Sequence, residues 1–293
     1  MGEYVLISDG SCDLTLEEAN KLGVEVVPFY VTFGDEKQFK EGLDYNVRDF
    51  YQRMVDNPNI FPKTSLPSPQ DYMDAFEKHL KAGKDIICMC ITSKFSGSFN
   101  SARNAAEILL EDYPDRKITV IDTMVNTVLQ GLIVKEAARM RDLNTPYDSL
   151  VEMINQNKLT GRIFFTLNGL SYLQHGGRIG KLSSIIGDLL KISPIICLKD
   201  GEIYNDGKVM FRRRALVKVR DNVCKHLAEC QATKDEYRLV VGYGYDIEEA
   251  REFKSMIEKA LPGYDICFEQ IGATIGVHTG PHPLGVGLVK IFK

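Results

Sequence analysis

The sequence predicts an α/β fold of two lobes, an N-terminal parallel sheet sandwiched by helices and a second α/β lobe with a mixed sheet. Three observations carry that expectation. From Tyr4 to Ala137, short apolar strands alternate with segments of helical period, the order that yields a parallel sheet covered on both faces. Asp85 to Thr92 is a continuous apolar run, as in a strand buried on both sides. Beyond Thr145-Pro146 the alternation gives way to hairpin signals such as Asp200-Gly201, so the second sheet should be partly antiparallel. At 293 residues the chain exceeds one ordinary core. The expected division is 1–157 and 158–293, with the last segment free to pack back on the first lobe.

Tyr4 to Ser8 is the first strand, ending in the turn Asp9-Gly10-Ser11. Thr15 and Glu18 are spaced as a capping box, and Gly23 closes that helix. Val24 to Phe33 reads as one strand, followed by a hairpin out to Gly42. A helix from about Asn46 to Val55 carries Val47, Phe50, Tyr51 and Met54 on one face. In Lys63-Thr64-Ser65-Leu66-Pro67-Ser68-Pro69-Gln70-Asp71, two prolines stiffen the backbone beside two adjacent hydroxyls. Ser68, Pro69 and Asp71 are the N-cap, first helical residue and capping-box acid of the next helix.

Ser93 to Ser98 links the strand 85–92 to a helix through Ala102, Ala105 and Leu109. Lys117 to Asp122 is a further strand, and a helix through Leu129 and Ile133 follows. The second half offers strands at Gly161–Thr166, Pro194–Leu198, Glu202–Tyr204, Tyr237–Tyr243, Asp265–Gln270 and Gly285–Phe292. Helices are expected at Ser183–Ile192, Arg214–Cys230 and Ile247–Leu261, and Gly272 to Pro281 reads as a glycine-rich segment.

Composition excludes several classes. With a net charge of −4 and no long basic tract, nucleic acid is not an expected partner; Arg212-Arg213-Arg214 reads as a solvated run. No apolar stretch reaches membrane-span length, and Tyr4 to Ser8 follows the first residues without a signal-peptide pattern, so a cytoplasmic location is expected. The seven cysteines form no C-x-x-C pair and have no histidine at zinc-site spacing, so they read as buried free thiols with no metal.

Motifs for common chemistries fail on particular residues. Gly176-Gly177-Arg178-Ile179-Gly180-Lys181 is one residue short of a P-loop, and Leu182 stands where the hydroxyl for magnesium belongs. It reads instead as a glycine loop exposing Arg178. Asp9, Ser11 and Asp13 open like a calcium loop, but Leu14 and Asn20 occupy its glycine and acid positions. His278 and His282 are separated by Pro281, which excludes one shared helical face. What remains is hydroxyl-rich. Thr64 and Ser65 precede one helix start and Ser96 and Ser98 another, where unpaired N–H groups suit a single anionic or polar head group. No flanking Lys or Arg cluster accompanies them, and His278 is a further donor.

These residues resemble the DegV family of bacterial fatty-acid-binding proteins. The resemblance rests on Ile7-Ser8-Asp9-Gly10-Ser11-Cys12-Asp13-Leu14, Thr64-Ser65-Leu66-Pro67-Ser68-Pro69 and Ser93-Lys94-Phe95-Ser96-Gly97-Ser98-Phe99-Asn100-Ser101-Ala102. It continues through Leu173 to Gly180 and Val277-His278-Thr279-Gly280-Pro281, and covers 3–291 as one DegV-like unit related in architecture to dihydroxyacetone kinase. It implies a long-chain fatty acid as ligand, no other cofactor, and a carboxylate held by Thr64, Ser65, Ser96, Gly97 and His278. It further implies a separate fatty acid kinase that makes the acyl phosphate, in phospholipid metabolism, with Arg178 assigned to kinase docking. On that pattern the chain is no enzyme itself, and it allows transient contact with a membrane. Two departures bear on the acyl pocket: His282-Pro283 replaces a glycine-alanine pair, and Asp122-Thr123 with Asn126-Thr127 replaces Asp-Ser with Ala-Ser. Two other readings stay open, an α/β enzyme using Asp9, Asp13 and His278 on a small metabolite, and a lipid-responsive regulator without a kinase.

Overall fold

Strands without a polar face must be covered on both sides, and the first half of the chain is built that way. The computed structural model describes residues 3–34, 37–185 and 192–293. Its first half contains β1 (Tyr4–Asp9), β2 (Val24–Val27), β3 (Tyr30–Thr32), β4 (Phe39–Lys40), β5 (Lys63–Ser65), β6 (Asp85–Cys90) and β7 (Ile118–Asp122). Between them lie α1 (Leu16–Leu22), α2 (Val47–Asp56), α3 (Pro69–Lys81) and α4 (Ser98–Asp112), followed by α5 (Thr127–Asp142) and α6 (Tyr147–Asn157). The rest comprises β8 (Arg162–Thr166), α7 (Ser171–His175), β9 (Ile192–Lys199), β10 (Glu202–Met210) and α8 (Arg212–Glu229). The last elements are β11 (Tyr237–Tyr243), α9 (Ile247–Ala260), β12 (Asp265–Gln270), α10 (Ala273–Thr279) and β13 (Leu284–Lys290).

The first sheet has the order β2-β1-β6-β7 and is parallel throughout. The second has the order β10-β9-β8-β13-β11-β12, antiparallel except where β12 joins β11. The fold is therefore α/β with one parallel and one mixed sheet. α5 runs between the two sheets and is buried on nearly every side, as a helix without a polar face must be. One core joins Leu6 and Ile87 of the first sheet, Leu129 and Ile133 of α5, and Ile163 and Val289 of the second. Gly131 lets α5 close on the turn after β1, since a Cβ there would lie 2.4 Å from the Cys12 carbonyl oxygen.

The expected hairpin out to Gly42 forms as β3 and β4, and β5 joins it on the other side of β3 to make a small antiparallel sheet, β4-β3-β5, that the sequence does not announce. The expected strand Val24–Phe33 is two strands in different sheets. Pro28 has no N–H to give to a ladder, so β2 stays with β1 while β3 turns away to pair with β5. The glycine-rich stretch after Gly272 is the helix α10. Gly276 belongs in that helix because its missing Cβ admits the Tyr51 hydroxyl, 2.8 Å from the Cβ position, and the packed cluster offsets glycine's poor propensity. Of the expected helix Ser183–Ile192, Gly180–Ile185 is a 3-10 turn and residues 186–191 lie outside the described residues.

Three surface expectations also change. Arg212 is paired with Glu249 at 2.9 Å rather than freely solvated. Cys230 is exposed, and Cys224 and Cys267 are half-buried, so not all the thiols are core. His226 in the last turn of α8 and Cys230 just after it lie close, Nε2 to Sγ 3.7 Å, a spacing the sequence reading passed over; no third ligand joins them among the described residues. Among the described residues, no helix is long and apolar enough to cross a membrane.

Candidate functional site

The carboxyl ends of the first sheet face the second sheet across a cavity of about 380 Å³, and its walls contain Thr64, Ser65, Ser96, Arg178 and His278. Gly97 is not in the described lining; it forms the N-cap of α4 and packs under Leu66. Thr64 and Ser65 lie on β5, where successive side chains point to opposite faces, so the half-buried Thr64 turns inward while Ser65 is exposed at the rim. Ser65 Oγ accepts from Gln38 Nε2 at 3.2 Å. The Ser68–Asp71 capping box forms as expected, and Ser101 Oγ donates to the Pro67 carbonyl at 2.7 Å. Together these bonds fix the exit of the hydroxyl segment.

Ser96 is set by a chain of buried bonds. Its Oγ accepts the Ser98 N–H at 3.2 Å, and Ser98 Oγ donates to Asp9 Oδ2 at 2.7 Å. Tyr72 OH, 2.6 Å from Ser98 Oγ, is then the donor of that pair. Asp9 also accepts from Ser11 Oγ, Gln130 Nε2 and the Ile91 N–H. The Ile91 bond draws the chain out of the sheet, so β6 stops at Cys90 instead of Thr92. Burial raises the Asp9 carboxyl above its ordinary range, and its four donors oppose that rise.

His278 Nε2 lies 3.1 Å from Thr64 Oγ1, while its Nδ1 is buried without a partner. Burial and then the neighbouring Arg178 charge lower its pKa to about 4, so the imidazole is neutral at pH 7. A proton on Nε2 satisfies the pair and leaves a bare lone pair, not an N–H, at the unpartnered Nδ1. Thr64 then accepts from His278, and its own hydroxyl proton is free for the cavity. Gly176 presses on the ring, since a Cβ there would lie 2.1 Å from Nδ1. Arg178 Nε donates to the Phe95 carbonyl at 3.1 Å and Nη1 to the Gly176 carbonyl at 2.6 Å. Its remaining N–H donors carry positive charge at the cavity wall. The sequence shows no Lys or Arg cluster flanking the hydroxyls, and the structure adds one cation, Arg178, to the same wall.

Away from these groups the wall is mostly apolar, with Phe29, Ile163, Leu198 and Leu284, and is flattened by glycines. A Cβ on Gly242 would lie 2.8 Å from Val128, and one on Gly287 3.1 Å from the Leu129 Cβ. The arrangement can hold an elongated apolar molecule with an anionic or polar end at the hydroxyls.

A family model described as an uncharacterised protein of the DegV family matches residues 3–290. The chain belongs to the DegV family. It is 30% identical over 285 residues to a DegV domain-containing protein of Clostridium perfringens, covering 97% of this chain and 98% of that one. Among solved structures it is similar to a stearic-acid-binding protein from Eubacterium ventriosum, with 40% identity, a TM-score of 0.93 and 99% of each chain covered. A fatty-acid-binding DegV protein of Streptococcus agalactiae superposes with a TM-score of 0.85 at 25% identity, again over 99% of each chain.

Sequence reasoning about this DegV-family chain missed part of the lining. Asn126 and Thr127 were noted only as departures from the family pattern, and Thr274 had no signal until its segment proved to be a helix. Asp9 and Asp13, the acids of the enzyme reading, are not in the described lining; Asp9 is saturated by donors and Asp13 is turned to Thr127.

Proposed function

We propose that this chain binds a long-chain fatty acid and presents its carboxylate to a separate fatty acid kinase for conversion to the acyl phosphate. The observation that carries the reading is the meeting of Thr64, Ser96, His278 and Arg178 in one largely apolar cavity. The stearic-acid-binding relative at 40% identity supports the same ligand class. Burying about fifteen methylenes at roughly 0.8 kcal/mol each is worth about 12 kcal/mol before ordering costs. A neutral hydrogen bond nets roughly 0.5–1.5 kcal/mol. The tail therefore supplies affinity, and the hydroxyls with Arg178 set orientation.

In this reading the chain contributes no nucleophile. Thr64 and Ser96 each offer a hydroxyl proton to one carboxylate oxygen, and Arg178 balances the charge at the mouth, where the kinase reaches it. Mass spectrometry of the gently denatured protein should release a long-chain fatty acid. Absence of co-purified lipid, with no binding of added stearate or oleate, would sink the proposal. The double variant Thr64→Ala with Ser96→Ala should lower affinity about tenfold and reduce acyl-phosphate formation more than that. Unchanged acyl-phosphate formation would remove those hydroxyls from the site.

A further inference from the structure

The cavity contains a second polar patch that the head-group assignment does not use. Asn126 and Thr127 line it from the start of α5, and Thr274 lines it from the start of α10. Thr274 precedes His278 by four residues, which places it about 6 Å along the helix on the same face. It is also at the more buried end, for α10 is buried from Ala273 to Val277 and only half-buried at His278 and Thr279. The two threonines of the patch are thus more buried than His278, and Asn126 beside them is half-buried.

The hydroxyl protons of both threonines are directed out of the cavity. Thr127 Oγ1 donates to Asp13 Oδ2 at 2.5 Å, and Thr274 Oγ1 donates to the Glu41 carboxylate. The two acids close together on the start of α10. A Cβ on Gly272 would lie 2.6 Å from both Asp13 Oδ1 and Glu41 Oε1, so only glycine fits between them. Thr127 holds a left-handed backbone, φ 53°, which a β-branched residue adopts only when its surroundings impose it. What the two hydroxyls can offer a ligand is therefore their lone pairs.

Asn126 supplies the opposite character. It is the N-cap residue of α5, yet its side chain makes no cap hydrogen bond, and no described residue claims its carboxamide. The first N–H groups of α5 are left without a side-chain cap as well. Donors and acceptors thus stand side by side in a wall that is otherwise hydrocarbon. A plain alkyl chain drawn past them strips their water and returns no hydrogen bond.

The geometry points to a subsite at Asn126, Thr127 and Thr274 for a hydroxyl group carried within the acyl chain, so that the preferred ligand is a hydroxylated long-chain fatty acid. A hydroxyl uses both halves of the patch: it donates to a threonine lone pair and accepts from the Asn126 amide. A keto oxygen would use the donors alone. The proposal rests on the fatty-acid reading above and narrows it.

Competition binding on the full chain, with a fluorescent fatty acid as displaced probe, tests it against stearate and monohydroxystearates differing in hydroxyl position. At least one isomer should bind about tenfold more tightly than stearate, because a site built to hydrogen-bond a hydroxyl discriminates against the analogue lacking it. Asn126→Ala, and independently the bulkier Asn126→Leu, should bring that ratio close to one while the melting temperature holds. The proposal is overturned if every isomer binds no more tightly than stearate, or if the preference survives both variants. A loss shared equally by stearate and the hydroxylated chain would overturn it too. Failure to bind any of these acids would instead remove the fatty-acid reading on which it stands.

Discussion

His278 shows how one side chain is tuned by what surrounds it. Its ring is buried, faces the Arg178 charge and spends Nε2 on Thr64, so protonation is disfavoured to about pH 4. The folded pKa lies below the ordinary 6.5, so the stability contributed by the neutral ring is present above about pH 6.5 and is lost as pH falls through about 4. NMR titration of the imidazole should therefore show no inflection near pH 6.5; an inflection there would mean that the ring is solvated and not bonded to Thr64. Gly176 tests the same contact sterically. Its backbone lies in an ordinary region, φ −73°, so Gly176→Ala acts chiefly by pushing the imidazole away from Thr64, with a lesser contact on the Tyr172 carbonyl. A stability loss of about 1–3 kcal/mol is expected from such overpacking, together with weaker fatty-acid binding. Wild-type affinity in that variant would show that His278 does not position Thr64.

Elements set the directions that single residues cannot. α3 begins with a complete capping box, and Ser68→Ala should cost about 1 kcal/mol in urea unfolding while loosening the Thr64-Ser65 segment ahead of it. Glu41 joins the short β4 segment to the start of α10 by accepting the Thr274 N–H and hydroxyl. Burial first, with the Asp9 charge adding to it, raises Glu41 to about 7 in spite of those bonds, and Asp13 is raised in the same pocket. A carboxyl raised on folding contributes stability below its unfolded value and loses it on the way to the folded one. Stability should thus fall by about 3 kcal/mol from this group between about pH 4.5 and about pH 7, and Glu41→Gln should flatten that slope. A slope unchanged in the variant would place the titration elsewhere.

The same elements show what the sequence could and could not reveal. Caps at Thr15 and Ser68 are local, four-residue patterns, and both form as read. The strand break at Pro28 was equally local, but a run of apolar residues on both sides masked it. α10 was illegible because Gly276 and Gly280 argue against a helix, and only the distant Tyr51 ring explains why the chain forms one. The hydroxyls of the proposed head-group site were legible as residues. Their convergence with Arg178 was not, since it joins β5, the loop before α4, the loop after α7 and α10 through contacts more than eighty residues apart in sequence.

At the scale of the molecule, the two sheets are tied through α5. Glu136 on that helix is fully buried and meets Arg238 of β11 at 2.5 Å and Arg139 at 2.9 Å, while its carboxylate also takes the Phe292 N–H. Glu136→Ala should cost about 1–3 kcal/mol, because the buried Phe292 N–H loses its acceptor while the partly exposed arginines keep Asp265 and the Phe292 carbonyl; urea unfolding measures it, and a loss near zero would mean that water replaces the carboxylate. The second sheet carries a consequence of its own. Its final strand, β13, is inserted between β8 and β11, so neither pairs directly with the other. During synthesis the first sheet can assemble while the second still waits, its central gap open and its apolar faces uncovered. A nascent chain halted before Leu284 would be half folded and prone to aggregate, and the cavity, which needs Leu284, Gly285 and Gly287 in its wall, would close only once β13 is in place.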